Sequence, residues 1–279
     1  MLDLRRKQYV SASVAHKAMA GFRDDLEVVE NPNNDELVEF VKIHGKIKAG
    51  EAKDAGIIAS GAEIGKAYKY AKSLEPTIST GMITLATEIA VQEFISSTPE
   101  NFTSNAMDLG NELEGHAVDL LSDRIGKKID NVGDHQSFFH RGALSATPDG
   151  CVYSGFDIME LAEVKCLQIT SHSKFLSLVK DQDDLLAHFP EYYWQTQCQL
   201  AVTGAKLVHF QSYSPYFSNG YNLVYIEVKP NLEHIDILNS RAETVLGLVP
   251  EIRQQIIDNP ARVWIEHELT HSKNNRRAA

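Results

Sequence analysis

Over residues 145–165 the chain reads Ser-Ala-Thr-Pro-Asp-Gly and, one hairpin later, Glu-Val-Lys. No other stretch limits the fold so tightly. Pro148 has a fixed φ and no backbone donor, so the chain must turn there. Gly150 permits tight geometry just after Asp149, which holds Asp149 at a turn with its carboxylate free to point into a site. Cys151-Val152-Tyr153 predicts a short strand, Ser154-Gly155 a turn, and residues 158–166 a second strand. Side chains alternate along a strand, which puts Leu161, Glu163 and Lys165 on one face and turns Ala162 and Val164 to the other. A carboxylate and an ammonium on an otherwise apolar strand are costly to bury unless they pair or bind a metal. Asp149, ending the facing arm, would stand opposite them. Two carboxylates suit a hard cation such as Mg²⁺, with phosphate and water completing its octahedron, and a lysine beside them can orient the attacking water. Taken alone, the same residues also fit a solvated hairpin that carries a Glu-x-Lys pair.

The rest of the chain decides between these readings. Residues 1–23 lead into a helix, with Ser11 or Ser13 as N-cap and Val14, Ala15, Ala18 and Met19 in apolar spacing. A loop at 30–35 precedes a helix over 36–47, helical pieces over 52–73, and a helix opened by Ser79-Thr80 that runs to Ile95 with Leu85, Ile89 and Phe94 inward. No chemistry is visible over 24–104, which reads as helical covering. From 105 to 126 a helical period sets Leu109, Leu113, Ala117, Leu120 and Leu121 in a buried stripe. Glu114 sits at the edge of that stripe, where a helix can offer a carboxylate to a site, whereas Glu112, His116 and Asp119 read as solvated. A strand over 134–140 makes three strands before the helix at 169–180. The cluster Asp181-Gln-Asp-Asp184 reads as a loop or solvated face. Pro190 starts a helix to Val202 in which Tyr192, Gln195 and Gln199 share one face. Strands over 207–213 and 223–229 follow, then a helical stretch over 232–258 interrupted at Pro250. Helices, strands, helices, strands and a final helix give an α/β layout with a mixed sheet covered by helices.

Composition narrows the class. With 279 residues, 43% hydrophobic and 23% charged, the chain can bury a substantial core. It has no run of about eighteen apolar residues that would cross a membrane, and its first residues lack a signal peptide's apolar segment. The expected location is the cytoplasm, that of the host cell if the chain is phage-encoded. Cys151, Cys166 and Cys198 fit no zinc spacing and read as reduced thiols. The net charge of −11 argues against coating nucleic acid by bulk charge, yet it allows a nuclease whose acidic site attracts phosphate through a bound metal. A metalloprotease is unsupported, since there is no His-Glu-x-x-His.

Pro148-Asp149 with Glu163-Val164-Lys165 resembles the motif of the PD-(D/E)xK nuclease superfamily. Gly-Asn-Glu-Leu-Glu114, Ser-Ala-Thr-Pro-Asp149-Gly, Glu163-Val-Lys-Cys and Tyr192-Tyr-Trp-Gln195-Thr-Gln, in that order, resemble the YqaJ-type viral recombinase, or phage lambda exonuclease, family. The resemblance covers roughly residues 5–23 and 105–228. It implies a restriction-endonuclease-like core with a central mixed β-sheet flanked by helices, plus a helical N-terminal insertion. One nuclease domain over 1–265 would then carry the insertion at 24–104 and the catalytic core at 105–229, with a flexible tail at 266–279.

The resemblance further implies a Mg²⁺-dependent exonuclease, with Mn²⁺ as a substitute. It would degrade linear double-stranded DNA from 5′ ends, release mononucleotides and leave 3′ single strands for recombination. Asp149, Glu163 and the Val164 carbonyl would bind metal, Glu114 would complete a second metal position, and Lys165 would assist the water. Tyr192 and Gln195 would line the site from their helix. Arg6, Ser13 and Thr147 match the family's pocket for the 5′-terminal phosphate. Its further basic residue has no basic counterpart here, and His172 stands as the candidate. Implied partners are DNA ends, a single-strand annealing protein and copies of the same chain in a trimeric ring. An endonuclease or single-strand nuclease on the same metal core is the alternative, as is a catalytically inactive DNA-binding protein.

Overall fold

The computed structural model describes residues 8–21, 32–45, 47–74, 78–95 and 105–259, with backbone alone over 72–74 and 105–112. In chain order the elements are β1 (Val10–Ser11), a 3-10 turn (Ala12–Val14), α1 (Ala15–Ala18), α2 (Asp35–His44), α3 (Ala49–Asp54), α4 (Gly61–Leu74), α5 (Thr80–Val91) and α6 (Asn105–Ile125). A second 3-10 turn (Gly133–His135) leads to β2 (Phe139–Arg141), β3 (Leu144–Ala146), β4 (Gly150–Ser154) and β5 (Asp157–Cys166). Then come α7 (Ile169–Leu178), α8 (Gln182–His188), α9 (Pro190–Thr203), β6 (Leu207–Tyr213), β7 (Leu223–Val228) and α10 (Leu232–Ile257).

Contacts divide the chain into two units, residues 21–79 and the remainder. The smaller unit holds α2, α3 and α4. Asn34 caps α2 by accepting from Leu37 N at 3.1 Å. Ser60 and Glu63 form a capping box at the start of α4. Leu37, Val38 and Val41 from α2 bury against Ala52, Ile57, Ile64, Ala67 and Ala71.

The larger unit is a mixed α/β structure with two sheets. In the first, β3 lies between β1, which it pairs in parallel, and β2, which it pairs antiparallel. The second runs β4-β5-β6-β7 with only β5 and β6 parallel. A parallel pair needs a long crossover, and α7, α8 and α9 supply it. Because strand side chains alternate, β5 divides its residues between two layers. Val164 packs with Ala117 and Val118 of α6 and with Tyr213, while Glu163 meets α9 on the other face. Tyr193 of α9 bonds His234 of α10 at 2.7 Å, and Lys17 of α1 reaches Glu88 of α5 at 2.7 Å.

Several expectations need correction. Ser11 stands at the N-cap position of the 3-10 turn but makes no capping bond with its side chain, Val14 precedes α1, and the Ser11 and Ser13 hydroxyls bond each other at 3.2 Å. The expected strand over 134–140 begins at Phe139, after the 3-10 turn, and β3 makes four strands from β2 to β5. Val118, outside the expected stripe, is fully buried, whereas Leu113 and Leu120 are only half-buried. Phe94 is 43% exposed because α5 ends at Val91. Asp181 belongs to a cap, accepting from the backbone N–H groups of Asp183 and Asp184 at the start of α8. Pro250 lies inside a continuous α10; it forfeits one backbone bond without ending the helix, whose buried Leu238, Ala242, Val245 and Val249 hold it to the core.

Candidate active site

Asp149 occupies the link between β3 and β4. Its Oδ2 accepts from Val164 N at 2.8 Å, tying the turn to β5. Gly150 is needed for a reason other than a left-handed turn. It pairs with Ala162 as the first residue of β4, and a Cβ there would sit 2.3 Å from Ile129 Cγ2. Any larger residue would force either Ile129 or the start of β4, next to Asp149, to shift.

Glu163 is 1% exposed and fully engaged. Lys165 Nζ donates to its Oε1, as does Gln195 Nε2 at 2.5 Å, and Gln199 Nε2 donates to Oε2 at 2.5 Å. Gln195 and Gln199 stand one turn apart on α9, so both amides reach the same carboxylate. Tyr192 stacks on Phe189 and Phe210 and lays its ring 5.7 Å from Lys165 Nζ. On α6, Glu114 Oε1 accepts from Gln136 Nε2 at 2.8 Å, and that nitrogen is 3.4 Å from Asp149 Oδ1.

Burial, then the nearby charge of Glu163, pushes the Asp149 carboxyl well above the ordinary aspartate range, and Lys165 only partly offsets this. Burial and Glu163 raise Glu114 in the same way. Burial alone would lower the Lys165 ammonium, but Glu163 and Asp149 outweigh it and hold the proton more tightly than in water.

The structure thus brings Glu114, Asp149, Glu163, Lys165, Tyr192 and Gln195 together, with Val164 on the strand between Glu163 and Lys165. Trp194 and Cys198, on other sides of α9, pack inward. Ser13 and Thr147 line a cavity of about 150 Å³ whose wall also includes Ser11, Gln136, Ser145 and Gln195. Arg6 lies outside the described residues. His172 is corrected: it is fully buried, and its ring nitrogens bond Ser212 Oγ and Tyr221 O, each at 2.7 Å. It is a satisfied core histidine with no atom left for a phosphate. Two site residues were missed. Gln199 shares the face of Tyr192 and Gln195, and that spacing is the signal for it. Gln136 sits in a loop where no spacing marks it.

Burial and mutual repulsion press Glu114 and Asp149 toward the neutral form beside Glu163 and Lys165, and a divalent cation at these oxygens would favour their charged forms. Among the described residues, no three His, Cys, Asp or Glu side chains close around one point as a metal-holding group. Protein donors take their place: Gln136 spans Glu114 and Asp149, while Lys165 and the two α9 amides draw Glu163.

Two mixed sheets flanked by helices, with Glu163 on the inner strand β5, Glu114 on α6 and Asp149 between β3 and β4, make a mixed α/β protein whose fold is similar to that of alkaline exonucleases. Similar solved structures include LHK-Exo in complex with dAMP, at 17% identity over 93% of this chain and 96% of that one, with a TM-score of 0.59. A second is the alkaline exonuclease LHK-Exo from Laribacter hongkongensis (19% identity, 82% and 99% covered, TM-score 0.54). A third is a phage-related exonuclease from Haemophilus somnus (15% identity, 79% and 95% covered, TM-score 0.52). No curated protein matches the chain. The YqaJ-like viral recombinase domain matches residues 51–206, more than half of the sequence. The chain belongs to the YqaJ-like viral recombinase family. The match starts at residue 51, so part of the stretch first set outside the resemblance lies within the family's domain.

Proposed function

We propose that this chain is a Mg²⁺-dependent 5′→3′ exonuclease on linear double-stranded DNA, releasing mononucleotides and leaving 3′ single strands for phage-type recombination. The observation that carries the reading is the meeting of Glu114, Asp149, Glu163 and Lys165 with the α9 amides, in a member of a viral recombinase family. The similar LHK-Exo structure holds dAMP, a mononucleotide of the product class expected here.

Asp149, Glu163 and the Val164 carbonyl would hold the cation, with Glu114 at a second position. When bound, such a cation supplies Lewis-acid polarisation of the phosphodiester and eases deprotonation of water. The chain's own groups do the rest. Lys165 keeps its proton at Nζ beside Glu163 and can donate to the attacking water or to the phosphoryl oxygen. Gln195 and Gln199 clamp the Glu163 carboxylate in one orientation. The Tyr192 ring covers Lys165 on one side and narrows the water's approach. Ser13 and Thr147, in the adjoining cavity, offer hydroxyl donors for a 5′-terminal phosphate. Arg6 would add a charge-assisted contact. A single-strand annealing protein would take over the 3′ strand, and a ring of identical chains would keep the enzyme on its duplex.

The test is a nuclease assay in Mg²⁺ and in EDTA on 5′-phosphorylated and 5′-hydroxyl linear duplexes, beside a closed circle. The expected result is mononucleotides from the linear duplexes in Mg²⁺ only, fastest from the phosphorylated end. Cutting of the closed circle would make the protein an endonuclease, and no cleavage of any substrate would remove the enzymatic reading.

A further inference from the structure

Gln136 stands where the acidic cluster and the hydroxyl-lined cavity meet. Its Nε2 donates to Glu114 at 2.8 Å and lies 3.4 Å from Asp149, and the same side chain lines the cavity beside Ser13, Ser145 and Thr147. An amide nitrogen carries two neutral N–H donors. It satisfies a carboxylate more weakly than a divalent cation does, so a cation that takes these oxygens displaces it. Ser145 also lines the cavity, and its Oγ is fully buried with no hydrogen-bond partner. Such a hydroxyl has a hydrogen bond left to give.

We propose that Gln136 couples the two parts of the site. Its amide can span Glu114 and Asp149, as it does here, or turn to the cavity and donate, with Ser145, to an anionic group, and a cation on those two carboxylates would favour the second arrangement. The anion that fits is a terminal phosphate monoester. The wall binds by donating hydrogen bonds, and such an end carries more charge and more free oxygens than an internal phosphodiester. The proposal rests on the nuclease reading above and assigns its end recognition a switch. Cation and terminal phosphate then strengthen each other's binding by the same factor.

The test measures binding, with the full chain and Ca²⁺ in place of Mg²⁺. Short duplexes ending in 5′-phosphate or 5′-hydroxyl are titrated by fluorescence anisotropy, in Ca²⁺ and in EDTA. Wild-type protein should prefer the phosphorylated end by roughly tenfold in Ca²⁺, the weight of one charge-assisted bond, and should lose most of that preference in EDTA. Gln136→Leu should lose the Ca²⁺-dependent preference while binding Ca²⁺ without DNA at least as well as wild type, as read by calorimetry. Gln136→Glu keeps the side chain's shape but has no donor, and it must lose the preference too, which covers a leucine variant that does not fold. A preference retained in either variant overturns the role of Gln136 alone. A wild-type protein that fails to distinguish the two ends in Ca²⁺ overturns the phosphate reading together with it.

Discussion

Gln199 offers a perturbation whose effects on stability and on turnover separate. Gln199→Leu keeps the volume and removes both halves of the amide. The donor half bonds Glu163 Oε2 at 2.5 Å in a fully buried setting, a bond to a charged group worth about 1.5–3 kcal/mol. Glu163 would keep Lys165 and Gln195 on its other oxygen, so the larger penalty for an orphaned buried charge does not apply. The acceptor half works the other way. Gln199 Oε1 is buried with no partner, a cost of about 1–3 kcal/mol that leucine erases. The two effects offset to within about 1 kcal/mol, which corresponds to a melting shift of no more than about 2–4 °C. Turnover has no such offset. Among the described residues, only Gln199 holds Oε2, and loss of a residue that orients a ligand carboxylate should lower kcat roughly 10–100-fold. Gln199→Glu sets a second carboxylate against the first and should destabilise the fold by about 3 kcal/mol or more. Calorimetric melting and kcat and KM on a 5′-phosphorylated duplex, across a Mg²⁺ series, read both effects. A leucine variant that melts far below wild type while keeping its kcat would refute the reasoning, because Gln199 would then be packing rather than holding Glu163.

Glu114→Ala should cut turnover by about a hundredfold or more, since losing even a hydrogen-bond partner of a metal ligand costs about 10–100-fold, with an unchanged circular dichroism spectrum; near-wild-type rates would take Glu114 out of the proposed site. At the far end of β5, burial alone would raise Glu160, but its bonds to Lys127 and His209 outweigh this and hold it below its ordinary 4.5. The folded value is the lower one, so its contribution is present above the unfolded value and is lost as pH falls through the folded one. Glu160→Gln should therefore flatten the acid side of the stability curve and cost about 1 kcal/mol or less at neutral pH, since its partner Lys127 is exposed to solvent; an unchanged acid limb in urea melts would refute this. Arg6→Ala and Thr147→Val should each slow digestion of 5′-phosphorylated ends much more than of 5′-hydroxyl ends, and equal losses on both substrates would show that neither residue reads the phosphate.

The hairpin and its acids were legible because turn chemistry and strand alternation act locally: Pro148 and Gly150 bracket Asp149, and a two-residue period puts Glu163 and Lys165 together. The face of α9 was legible through its i, i+3 spacing. What escaped depends on contacts distant in sequence. Gln136 gains its place only when its loop lies between α6 and the Asp149 turn. β3 is three residues long and is a strand because β1 and β2 flank it, which no local pattern announces. His172 looked available from its spacing to Lys165, but Ser212 and Tyr221, from β6 and the loop after it, claim both of its nitrogens.

The parallel contact of β1 with β3 joins Val10 to Leu144 and Ser11 to Ser145. It sets the wall that carries Ser13 beside the strand leading to Asp149, although the two are written far apart in the chain. On a ribosome, the opening residues wait unpaired until the middle of the protein has emerged, since a contact of such long range closes late. In heredity the same separation is an advantage. The acids and the lysine are spelled within 114–165, whereas Ser11 and Ser13 of the cavity wall are spelled within the first fourteen residues. Substitutions in the first codons can therefore reshape one side of that cavity while the codons of the acidic cluster stay unchanged.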